Sequence, residues 1–173
     1  MIEQIRTFLA NNPIENIETF FDNENIIWVD WREYDEDIVS YVNDELNEAD
    51  KIEWKTIPSE KEGALDIVTL KKDEKEAVIR YDEDKWDRDT TLKSIGKFID
   101  DKYKLCWFKP SLGGDTLSFV VIGNEDWEKL SAEFGEEKLK FYFSPVTEEN
   151  AMFNLSMDQV FSLIELREKN NPN

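Results

Sequence analysis

Forty of the 173 side chains are carboxylates and none is an imidazole. Without histidine the chain cannot assemble a Ser-His-Asp or Cys-His nucleophile, nor an imidazole-ligated metal centre. The single thiol, Cys106, lies in the apolar run KLCWF, where nothing local stabilises a thiolate, and it reads as a small core residue. One cysteine also excludes an intramolecular disulfide. Neither GxxxxGKS/T nor GxGxxG occurs; SLGGD has two glycines without the lysine or the spacing, and reads as a hairpin turn. Carboxylate pairs alone can hydrolyse glycosides or hold Mg²⁺, but among forty acids some pairs lie close by chance. The densest calcium-like stretch is YDEDKWDRD, residues 81–89. A calcium loop beginning at Asp82 needs glycine at its sixth position and glutamate at its twelfth, where Asp87 and Lys93 stand. No catalytic residue, cofactor or metal is expected, and the chain is expected not to be an enzyme.

The carboxylates are unevenly placed. The net charge is −19 overall. Between residues 30 and 50 there are nine acids and one base, Arg32, whereas residues 65–104 sum to −1. Such a chain is repelled by nucleic acid and by anionic membrane surfaces and is attracted to basic proteins. Crowded carboxylates also predict raised pKa values and stability that grows as pH falls from 7 toward 5. Trp31 and Trp86 sit beside acid-rich turns, in DWRE and DKWDRD. Aromatic rings ringed by carboxylates suit arginine and lysine side chains of a partner. The residues expected to bind such a partner are Asp30, Trp31, Glu33, Asp37, Asp44, Glu45, Glu48 and Trp86.

The elements that must position these residues follow from periodicity. Residues 2–11 and 13–21 carry apolar stripes at helical spacing and form an N-terminal helical pair. NIIWVDW is β-branched and aromatic, a strand. A helix over roughly 34–49 follows, with Ile38, Tyr41, Val42, Leu46 and Ala49 inward, and Asp35, Glu36 and Asp37 suit its N-terminal dipole. KIEWKTI, ALDIVTL, EAVIRYD, KLCWFKP, TLSFVVIG and KLKFYFSPV read as further strands. Helices are expected over DRDTTLKSIGKFIDDKY, with Asp89 as its cap, over NEDWEKLSAEFG, capped by Asn124, and over MDQVFSLIELREKN, with Met157, Val160, Phe161 and Ile164 inward. Trp28, Trp54, Trp107 and Trp127 fall at core positions.

Hydrophobic residues at 40% and few glycines or prolines predict one α+β domain over 1–173, with the 1–25 helical pair docked on it and a frayed tail at 170–173. Its sheet is expected to be single, mostly antiparallel and of six or seven strands, with helices packed on it. No stretch reads as a signal peptide or a membrane span, so a cytoplasmic location is expected.

In size and composition, as a small, acidic, histidine-free α+β chain, the sequence is similar to the immunity proteins with which bacteria neutralise polymorphic or contact-dependent toxins. That resemblance implies a stoichiometric inhibitor whose acidic face fills the cationic groove of a toxin domain, a nuclease above all. The alternatives are a DNA mimic or regulatory adaptor that sequesters a basic protein, or a carboxylate- and metal-dependent enzyme.

Overall fold

The computed structural model describes residues 1–59, 66–81 and 87–170. Its elements run α1 (Ile2–Ala10), α2 (Ile17–Phe21), β1 (Ile27–Asp30), α3 (Asp35–Glu45), β2 (Glu53–Ile57), β3 (Ile67–Lys72), β4 (Lys75–Val78), α4 (Arg88–Ile99), β5 (Tyr103–Phe108), β6 (Thr116–Gly123), α5 (Asn124–Phe134), α6 (Glu136–Tyr142), β7 (Phe143–Pro145) and α7 (Met157–Lys169). The class is α+β, but the expected single sheet is two antiparallel sheets, ordered β1-β6-β5-β7 and β2-β3-β4.

The burial of each strand explains the division. β5 and β6 are almost continuously apolar and are buried on both faces, which requires layers on either side. β2, β3 and β4 alternate instead. Val68 and Leu70 point into the core, while Glu53, Lys71 and Glu76 form one cross-strand row on the opposite face. A strand with one charged face cannot enter a sheet covered on both sides, so these three pack as a separate layer. Helices α3 and α4 lie between the sheets: α3 touches β1 and β2, and α4 touches β5 and β4. The core between them gathers Val29, Ile38, Val42, Leu70, Leu92 and Phe119.

On the other face of the larger sheet, α1, α2, α5 and α6 build an aromatic core. Phe20 stands 4.7 Å from Phe108 and 4.9 Å from Phe8, and Phe108 stacks on Phe143 at 5.1 Å; such ring pairs contribute beyond their buried area. This is how the N-terminal pair docks. Cys106 is fully buried in the same layer.

Several local expectations are corrected. KLKFY is helical: Leu139 and Tyr142 are buried three residues apart, and Lys140 bridges Glu136 at 2.7 Å across one turn. Gly135, at φ +87°, separates this helix from α5. Helix α3 ends at Glu45 and is followed by a 3₁₀ turn over Glu48–Asp50, which leaves Ala49 exposed. The backbone N–H of Asn124 donates to Lys102 O at 2.8 Å, and Asn124 opens α5 rather than capping it. Trp28 and Trp54 are 38% and 41% exposed, on the edge strands β1 and β2, whereas Trp107 and Trp127 are buried. Met157 and Phe161 of α7 are exposed, and only Val160 and Ile164 of its expected stripe are half-buried. Of the expected frayed tail, residues 171–173 lie outside the described residues.

Three carboxylates are spent on holding elements together. Asp35, buried in the first turn of α3, pairs with buried Arg88 at 3.0 Å and accepts from Thr91 Oγ1 at 2.8 Å and from the Tyr81 hydroxyl. Asp89 does not cap its own helix. It accepts from the backbone N–H groups of Met152 at 3.0 Å and Phe153 at 2.8 Å, tying α4 to the segment before α7. The cap is Asp87, which accepts from Thr90 N–H at 2.8 Å. Asp50 is held by Lys72 at 2.8 Å, Lys102 at 2.5 Å and the Tyr103 hydroxyl at 2.8 Å.

Removing one member of a buried ion pair leaves the other charge desolvated, at about 3–5 kcal/mol. Asp35→Ala should therefore lower the urea midpoint by that equivalent. Asp35→Leu combined with Arg88→Met should recover most of it. A single variant that unfolds at the native midpoint would show that the network contributes little.

Candidate partner-binding face

The acid-rich segment folds as the end of β1, a turn, and α3. Three acids at the start of α3 favour its nucleation through the helix dipole. Ile38, Val39 and Val42 anchor its inner side. Asn43 fixes its far end by clasping the entry to β2: its amide donates to Ile52 O at 2.8 Å and its carbonyl accepts from Ile52 N–H at 2.7 Å. The segment is thus rigidly placed, and its outer side chains are presented rather than loose.

The expected binding residues differ in how far they are engaged. Asp30 Oδ1 accepts from Arg32 N–H at 2.8 Å and shapes the turn. Glu33 accepts from the Tyr41 hydroxyl at 2.8 Å. Glu48 pairs with Lys51 at 2.8 Å. Glu45 is half-buried and accepts from Asn25 Nδ2 at 3.3 Å. Asp37 and Asp44 make no hydrogen bond or ion pair with the described residues, and neither does Glu36. Asp37, Tyr41 and Asp44 follow at spacings of four and three residues, so they share one stripe of the helix, and Glu33, in the turn before α3, reaches that stripe through the Tyr41 hydroxyl. Trp31 is 55% exposed and Tyr34 64% exposed at the head of that stripe. The Arg32 guanidinium lies over the Trp31 ring, 4.6 Å from its centroid. Trp86 lies outside the described residues. Asp82 and the acids next to it in the 81–89 stretch do as well.

Periodicity could not separate surface acids from structural ones. Asp35 and Asp50 belong to the same acidic run, yet both are buried. The available signal was the excess of bases over 65–104 relative to the rest of the chain: Lys72, Arg88 and Lys102 are the partners of these two carboxylates. Among the described residues no group of three or more Cys, Asp or Glu converges to hold a metal ion, and no helix is long and apolar enough to cross a membrane. No protein-family model, curated protein or solved structure matches the chain.

Two carboxylates of this region bind their protons differently in the fold. Burial pushes the Glu45 carboxyl up; the Asn25 hydrogen bond opposes this, and nearby Asp44 and Glu24 add to it. Desolvation, more than crowding, is the cause. Lys102, Lys72 and the Tyr103 hydroxyl hold Asp50 well below the usual carboxylate range. A raised folded pKa gives stability that is complete below the unfolded value of about 4.3 and is lost as pH rises through the folded one. A depressed folded pKa gives stability that is present above about 3.9 and is lost only in stronger acid. Glu45→Gln should therefore raise the melting temperature at pH 7.5 and flatten its rise between pH 7 and 5. Asp50→Asn should lower it at both. A Glu45→Gln variant that melts lower at pH 7.5 would contradict the assignment.

Burial also pushes the Cys106 thiol far up. The native chain should resist disulfide-exchange reagents until it unfolds, and Cys106→Ala should fold and bind as the parent does. Its packing cost should be about 1 kcal/mol. Rapid labelling of the native thiol would contradict this.

Proposed function

We propose that the chain is a stoichiometric binding protein for a cationic protein surface and docks through the α3 face. In its most specific form it is a bacterial immunity protein that inhibits a basic toxin domain, a nuclease. The observation carrying this reading is the stripe of unengaged carboxylates, Asp37 and Asp44, on a rigid helix headed by the exposed rings of Trp31 and Tyr34.

A nuclease must concentrate positive charge where it holds phosphates. A preformed acidic surface complements that groove, excludes substrate from it and is steered to it by long-range attraction. Exposed aromatic rings then supply the desolvated anchors that charge alone does not. Arg32 over Trp31 occupies the ring face that a partner's arginine would take, and it is the one base in the run. A DNA mimic would array its acids at near-phosphate spacing; here Asp35 and Asp50 are withdrawn into the fold, which interrupts such an array.

The test pairs the chain with toxin domains encoded beside its gene and follows nuclease activity against molar ratio. A linear fall to zero at one equivalent is expected. Asp37→Lys with Asp44→Lys should slow association at least tenfold at low salt and lower the melting temperature by only a few degrees, because Asp37 loses its favourable place at the α3 N-terminus but neither position is in the core. Arg32→Ala should speed association. Full inhibition by the double variant at the parent's rate would place the binding face elsewhere.

A further inference from the structure

Helix α7 is the one α-helix among the described residues that buries no side chain completely. It rests on the β5–β6 connection through Ile164, whose Cδ1 would stand 3.1 Å from a Cβ at Gly113. Under its C-terminal half opens a cavity of ≈ 420 Å³ with apolar walls that include Trp107, Leu112, Phe141, Leu163 and Leu166. This volume is in the range of small-ligand sites, roughly 300–1,000 Å³.

Two cations line the same cavity, Lys109 and Arg167. Arg167 lies 4.4 Å over the Phe141 ring and donates one N–H to Phe141 O at 2.6 Å, which leaves most of its donors unused. Lys109 is half-buried and makes no hydrogen bond or ion pair with the described residues. No carboxylate among the described residues forms an ion pair with either, although Glu149 also lines the cavity. Burial pushes the Lys109 ammonium down, and Arg167 adds to this; burial lowers Arg167 to about 10. Acids outnumber bases 40 to 21 in this chain, yet these two neighbouring cations have one carboxylate, Glu149, in their pocket and form no ion pair with it. Desolvated charge is costly unless something neutralises it.

We propose that this cavity binds a small amphipathic organic anion, an alkyl or aryl carboxylate. Its head lies between Lys109 Nζ and the Arg167 guanidinium, and its apolar body lies against Trp107, Leu163 and Leu166. Arginine offers the planar fork that a carboxylate accepts, and lysine offers a second point charge. The site shares no residue with the α3 face, so either reading can fail without the other.

Isothermal titration of the full chain with decanoate, decanol and decyltrimethylammonium tests this. Decanoate should bind saturably at one equivalent, despite the overall negative charge. Decanol should bind at least tenfold more weakly, and decyltrimethylammonium should not displace decanoate. Lys109→Met should weaken decanoate at least tenfold while the free variant melts no lower than the parent. Leu163→Trp, which fills the cavity, should abolish binding in a chain that still melts cooperatively. The proposal is overturned if decanoate shows no saturable binding, if decanol binds equally well, or if Lys109→Met keeps the parent's affinity.

Discussion

Asp35 and Arg88 meet where α3 and α4 begin, sealed between the two sheets. Tyr81 and Thr91 complete the contact from the strand side and from α4. A buried carboxylate and guanidinium tolerate little displacement, because separating them would leave desolvated charge unanswered. The pair therefore fixes the relative position of the two middle helices, and with it the separation of the sheets they divide. The two acids flanking Arg88 extend the effect: Asp87 caps the helix, and Asp89 draws in the backbone of residues 152–153.

This anchoring decides which acids remain at the surface. The sequence presents a single acidic run over 30–50, but the fold sorts it. Asp35 and Asp50 are consumed inside, Asp30 and Glu33 shape the turn and brace Tyr41, and Glu48 is answered by Lys51. What stays uncompensated is a narrow stripe on the outer side of α3. Repulsion within this run is thereby concentrated on one helix. The same logic run in reverse marks the cavity under α7, where Lys109 and Arg167 form no ion pair with the described residues and Glu149 is the one acid in the lining.

Much of the fold was legible because the apolar pattern is strong. The helical stripes of α1 and α4, and the strands β5 and β6, follow from periodicity alone. The split into two sheets was also encoded: KLCWF and LSFVVI are continuously apolar, whereas the strands over 53–57 and 67–78 alternate with charge. Reading that difference as two layers requires knowing that α3 and α4 come between them, which no local pattern states. KLKFY misled because alternating apolar residues over so short a span satisfy both a strand and two turns of helix; Gly135 and the Glu136–Lys140 pair decided for the helix. At the candidate site, exposure of Trp31 was legible from its acidic neighbours. The internal employment of Asp35 and Asp50 was not, since their partners lie 22 to 56 residues away.

We propose that the α3 stripe, rather than any other part of the acidic surface, is the docking face for positive charge. Nuclear magnetic resonance of the labelled chain titrated with a hexa-arginine peptide tests it without knowledge of the natural partner. The Trp31 indole N–H and the carboxyl carbons of Asp37 and Asp44 should shift first and saturate together, while the acids of α5 and α7 follow only at higher peptide concentration. Shifts that spread evenly over all exposed carboxylates, with Trp31 unmoved, would contradict the claim.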